Sequence, residues 1–97
     1  MTELDAEVHQ PTRLRILMLL SGVATADFNF LLNTLGLTKG NLSVHLSKLE
    51  QAGFVNIEKT YRGKVPLTLC RLTEAGRTAF EDYRKQLIRF VENSKEK

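Results

Sequence analysis

The sequence predicts a mainly α-helical fold that carries one β-hairpin, an α+β chain whose strands form a single appendage. Three observations lead there. Residues 11–53 place apolar side chains at the helical spacings of three and four. Residues 54–72 change to alternation, interrupted once by Arg62-Gly63-Lys64. From Thr73 onward the helical spacing returns and lasts almost to the polar tail "ENSKEK". With 97 residues the chain fits one domain, expected over 1–97.

The first helix region is expected at about 5–22. Pro11 is a favoured first-turn residue and Gly22 a stop. Leu14 and the run Ile16–Leu20 are apolar nearly all round, the pattern of a helix buried on more than one side. A two-helix unit is expected over 25–53. In "TADFNFLLNTLG", Phe28, Leu31, Leu32 and Leu35 form a narrow core stripe, and Gly36 supplies a left-handed stop. After a minimal turn, Thr38 caps a third helix over 38–52. Leu37 and Leu42 are placed to staple its entry, Leu42, Leu46 and Leu49 face the core, and Gly53 ends it.

A hairpin follows over 54–72, "FVNIEKTY" against "VPLTLCRL", with Gly63 at the turn. Pro66 cannot donate to a ladder, which makes its strand an edge or its start irregular. The last helix, 73–93, is capped by Thr73. Its apolar stripe of Phe80, Tyr83, Leu87, Phe90 and Val91 extends further than three short helices can cover. Such a stripe marks a partner surface, to which Leu4 and Val8 are expected to add, while Phe80 and Tyr83 are expected to fold back in part onto the chain's own core. Two helices joined by a tight turn are a helix-turn-helix, and a hairpin directly after them makes a winged helix.

With the leucine stripe of the third helix turned inward, Gly40, Val44, Ser47 and Gln51 point outward, flanked by Asn41 and Lys48 on one side and by Lys39 and Ser43 on the other, with Glu50 off to one edge. Small polar side chains let a helix approach base edges in a major groove. Asn is suited to adenine, an apolar side chain to the thymine methyl, and Lys to phosphate. Polar outward faces are common, so the weight falls on the exposed Val44, the lack of acids and the adjacent hairpin. Its tip carries Lys59, Arg62 and Lys64 around Gly63, a basic end suited to phosphates or a minor groove. Gly40 raises a question of its own, because glycine in a first turn costs ~1 kcal/mol relative to alanine. His45 falls beside the leucine stripe, where a local hydrogen bond is the expected role. Cys70, between Leu69 and Arg71, reads as a small structural residue.

Composition narrows the function classes. Hydrophobic content of 42% and charged content of 26% suit a globular chain. The net charge of +3 and pI of about 9.2 suit an anionic partner. One cysteine excludes an intrachain disulfide and a cysteine zinc site. No apolar run approaches the ~20 residues of a membrane span, and "MTELDAEVHQ" lacks the order of a signal peptide. A cytoplasmic protein with no membrane partner is expected. With no phosphate loop, paired-histidine motif or serine elbow, no enzyme, cofactor or metal site is expected.

Three runs, "PTRLRILMLL", "LTKGNLSVHLSKLEQAGFV" and "RLTEAGR", resemble the small stand-alone winged-helix transcriptional regulators related to the MarR and ArsR groups, over roughly residues 8–90. The resemblance implies a homodimeric, prokaryotic regulator of double-stranded DNA. Its third helix reads the major groove, its wing touches backbone or minor groove, and its terminal helices pair the subunits. Transferred by position, Gly40, Asn41, Ser43, Val44, Ser47 and Lys48 form the reading face, and Arg62, Gly63 and Lys64 the wing tip, taken as 61–64; Thr38, Lys39 and Lys59 are expected to add to the DNA contacts. The paired subunits would use Leu4, Val8, Phe80, Tyr83, Leu87, Phe90 and Val91. The cysteine pair of ArsR-type metal sensors is missing, and no ligand-domain insert is present. The rival reading is a winged-helix adaptor that binds protein instead of DNA.

Overall fold

A computed structural model describes residues 5–95. Its elements run α1 (Pro11–Ser21), β1 (Ala26–Asp27), α2 (Phe28–Leu35), α3 (Lys39–Gln51), β2 (Val55–Arg62), β3 (Val65–Leu72) and α4 (Glu74–Lys95). The expected class is borne out: four helices, a hairpin wing and a long last helix. One element differs. Ala26 and Asp27 pair with Cys70 and Leu69, so the sheet has three antiparallel strands in the order β1-β3-β2. Two residues carry no periodicity, and "TADF" instead reads as the approach to a helix. Asp27 serves both elements. It ends the strand, and its carboxylate accepts from the amides of Asn29 and Phe30 at 2.7 and 3.2 Å, capping α2. Pro66 lies beyond the reach of β1, where β3 has only β2 beside it, so its missing donor leaves no ladder bond unmade.

α1 packs against α2, α3, α4 and β3. Ile16, Leu17 and Leu20 are fully buried with Leu31, Leu42, Leu49, Val8 and Cys70. Met18, on the remaining side of α1, is exposed. Before α1, residues 5–10 form a turn, and Gln10 caps the helix by accepting from the Arg13 amide at 2.7 Å. Arg13, itself buried, holds this turn in place. Its Nε donates to the Glu7 carbonyl at 2.8 Å, one terminal nitrogen to the Ala6 carbonyl at 3.4 Å, and the other to His45 Nδ1 on α3 at 3.3 Å. The turn presses Val8 into the core and puts His9 Nδ1 2.8 Å from the Tyr83 hydroxyl on α4.

α3 ends in a complete Schellman motif. Gly53 has φ 82°, its amide donates to the Glu50 carbonyl, and the Phe54 amide to that of Leu49, both at 2.9 Å. Thr73 binds the same corner. Its hydroxyl donates to the Gly53 carbonyl at 2.6 Å and accepts from the Gly76 amide at 2.9 Å, while its own amide donates to the Phe54 carbonyl at 3.0 Å. α4 lies so close here that a Cβ on Gly76 would stand 2.0 Å from the Phe54 carbonyl oxygen. Cys70, wedged between Ala26 and Ile57, is fully buried, and burial pushes its thiol up to about 11. It is a packing residue.

Two outcomes test this scaffold. Alanine is intrinsically better than glycine in a helix by ~1 kcal/mol, yet Gly76→Ala should destabilise the chain by on the order of 3 kcal/mol in urea titration, because backbone must move. A variant as stable as the parent would disprove the close approach. His45 is held below its ordinary value of 6.5 by burial, then by the charges of Arg13 and Lys48. The unfolded chain therefore protonates this histidine first as pH falls. The stability tied to neutral His45 is present above about pH 6.5 and lost below it. The drop in urea midpoint between about pH 7.5 and about pH 5.5 should be smaller in His45→Gln than in the parent; an equal drop contradicts the placement of His45.

Candidate nucleic-acid interface

The interface is built on α3. Thr38 has extended backbone and its hydroxyl accepts from the Asn41 amide at 3.2 Å. The first-turn amides of Lys39 and Gly40 have no carbonyl a turn earlier to bond, so this end keeps free donors and the positive end of the helix dipole. Leu42, Leu46 and Leu49 are buried. Their burial turns the opposite side to solvent: Thr38, Lys39, Gly40, Asn41, Ser43, Val44, Ser47 and Lys48 are all exposed, Val44 by 53%. A Cβ at Gly40 would meet nothing within 4 Å. The glycine is therefore not there to let the preceding helix pack close.

The wing stands beside this face. Arg62 and Val65 close a two-residue turn in which Gly63, at φ 64°, takes the left-handed position and Lys64 does not, the pattern of a type II′ turn. A groove of about 500 Å³ lies between α3 and the wing, lined by Ser43, Ser47 and Glu50 on one side and by Ile57, Lys59 and Thr68 on the other. Helix face and wing row are thus neighbours. Lys59, Arg62, Gly63 and Lys64 are exposed. The one ion pair among the described residues is Arg84–Glu81, at 3.4 Å on α4, so the cations of α3 and the wing are not neutralised by carboxylates there. Glu50, which helical periodicity puts at the edge of this face beside Ser43 and Ser47, lies in the groove wall. His45 is half-buried and turned to Arg13, away from the outward face.

Tyr61, inside the expected wing tip 61–64 though not singled out as a contact, and Val65, just beyond it, are 69% and 64% exposed. Alternation marks them as strand positions; that the strands outrun the core at this end needs the register.

The residues expected at a subunit contact divide. Val8, Phe80 and Tyr83 are buried in the chain's own core, so their side chains do not supply an outer surface. The Arg13-held turn and the His9–Tyr83 bond account for that. Leu87, Phe90 and Val91 are exposed, joined by Ile88, which the helical stripe does not include. Leu4 lies outside the described residues. Among the described residues no three His, Cys, Asp or Glu side chains come together as a metal site, and no helix is long and apolar enough to cross a membrane.

This geometry has close counterparts. An uncharacterized protein of Methanocaldococcus jannaschii is 42% identical over 82 residues, covering 84% of this chain and 88% of that protein. The structure of a transcriptional regulator homologue from Pyrococcus horikoshii OT3 superposes with a TM-score of 0.85 at 28% identity, over 90% of this chain and 86% of that one. A Mycobacterium tuberculosis structure does so with 0.76 at 26% identity, over 91% and 85%. The family model described as a winged helix DNA-binding domain matches residues 12–91, from α1 into the second half of α4. The chain belongs to the winged helix DNA-binding domain family.

Proposed function

We propose that the chain is a sequence-specific transcriptional regulator of double-stranded DNA that acts as a homodimer in the cytoplasm, with α3 in the major groove and the wing tip on backbone or minor groove. One observation carries this reading: the outward face of α3 and the inner row of the wing flank a common groove, and their cations have no acidic partner among the described residues. On this surface Asn41 is placed for a base edge and Val44 for a thymine methyl, while Lys39, Lys48, Lys59, Arg62 and Lys64 are placed for phosphates.

Homodimer formation is supported by the exposed apolar end of α4, where Leu87, Ile88, Phe90 and Val91 are 39–53% exposed. An interface of ordinary size buries ~800 Å² per partner. Two-fold pairing would put two copies of α3 one DNA turn, ~34 Å, apart on a palindromic site.

Asn41→Ala and Val44→Glu should each weaken binding to the specific site about tenfold or more without unfolding the chain. Lys64→Ala should weaken specific and nonspecific duplexes alike. It should also flatten the plot of log affinity against log salt by about one for each phosphate that the protein no longer neutralises. Fluorescence anisotropy across a salt series reads all three; unchanged binding in all three overturns the surface. Gly40→Ala should leave the chain as stable or more so, by up to ~1 kcal/mol, yet bind more weakly, because a methyl group would stand between the helix amides and DNA. Unimpaired binding removes Gly40 from the interface.

A further inference from the structure

We infer that Tyr61 and Pro66 form an apolar pad on the wing that lies against the deoxyribose wall of a minor groove, supplying affinity that salt does not screen. The inference rests on the reading of the chain as a DNA-binding regulator and adds a contact of different chemistry.

The register fixes where the pad is. Val55, Ile57, Lys59 and Tyr61 alternate along β2 and lie opposite Leu72, Cys70, Thr68 and Pro66 of β3. The ladder has no bulge, so all eight share one face of the hairpin. At its base Val55 and Cys70 are buried in the core; next come Lys59 and Thr68, on the wall of the groove shared with α3; Tyr61 and Pro66 stand one step further out. Tyr61 therefore belongs to the row that faces the reading helix. Arg62 and Val65 belong to the other face.

The pad has no task within the chain. Tyr61 is 69% exposed, its hydroxyl has no hydrogen-bond partner in the described structure, and it lies outside the core cluster. Pro66 lies on the part of β3 beyond the reach of β1, where it offers no amide to the open edge. Charge indicates the occupant. Lys59 shares the pad's face and Lys64 lies in the adjoining turn, while Glu58 and Arg62 belong to the opposite face. An apolar patch flanked by cations, with no carboxylate among the eight residues of its face, suits a polyanion with an apolar surface between its charges. The minor groove offers that combination, with sugar walls between two rows of phosphates, and apolar side chains are regularly placed there.

The test compares Tyr61→Ala and Tyr61→Phe with the parent on one specific duplex over a salt series. A substitution at this exposed site leaves the thermal midpoint unchanged. Tyr61→Ala should bind about tenfold more weakly at every salt concentration, a parallel offset, because the number of neutralised phosphates stays the same. Tyr61→Phe should stay within about twofold of the parent. Three results overturn the inference: Tyr61→Ala binding like the parent, a change of slope in place of an offset, or Tyr61→Phe as weak as Tyr61→Ala, which would make the contact a hydroxyl hydrogen bond. If Tyr61→Ala is silent while Asn41→Ala is impaired, the pad fails and the interface stands. If the parent itself binds no duplex, both fall.

Discussion

The backbone of Phe54 occupies the space that a side chain at position 76 would need, and much of the structure depends on that contact. It joins the end of α3 to the start of α4. Around it stand the Schellman turn of Gly53, the two bonds of the Thr73 hydroxyl and the bond from the Thr73 amide to the Phe54 carbonyl. Backbone sets the angle between these two helices, with little side-chain freedom to alter it. α3 carries the proposed reading face and α4 the proposed subunit contact. A stiff corner between them would fix the distance between two reading helices, which a regulator of a palindrome must match to one turn of DNA.

A second constraint acts from the other end. Arg13 ties the turn before α1 to His45 on the flank of α3, and His9 ties the same turn to Tyr83 in the middle of α4. α3 is thus held at its C-terminal end by backbone and along its side by a buried guanidinium. Its outward face bears no part of this load. Gly40, Asn41, Val44 and Ser47 support nothing behind them, so their chemistry is free to serve a ligand. The same separation holds in the wing: Val55, Ile57 and Cys70 pack the base, while Lys59, Tyr61 and Lys64 project past it.

Much of this is legible in the residues. Leucine spacing places α2 and α3 and predicts which side of α3 looks outward; Gly36, Gly53, Thr38 and Thr73 mark the helix ends; Arg62-Gly63-Lys64 locates the turn. What escapes depends on contacts between distant segments. β1 has only two residues and exists because β3 offers an edge. Gly76 lies in a helical pattern, and nothing near it announces the Phe54 carbonyl. The stripe allows Phe80 and Tyr83 to fold back in part onto the core; that they are covered, and Val8 with them, is seen only in the folded chain. Tyr61 falls within the expected wing tip, but only the register shows which face of the hairpin it shares. Local patterns specify elements; the positions that escape are those where a second, remote element decides burial.

The central claim is that two copies of one rigid reading unit recognise a two-fold symmetric duplex. Selection of binding sites from random double-stranded DNA with the full chain, repeated over a range of salt, tests it most directly. The account predicts an enriched palindrome whose half-sites are centred about one helical turn apart, ~34 Å, and an affinity that falls linearly in log salt. Absence of any enriched sequence even at low salt would contradict it and favour a winged helix that binds protein.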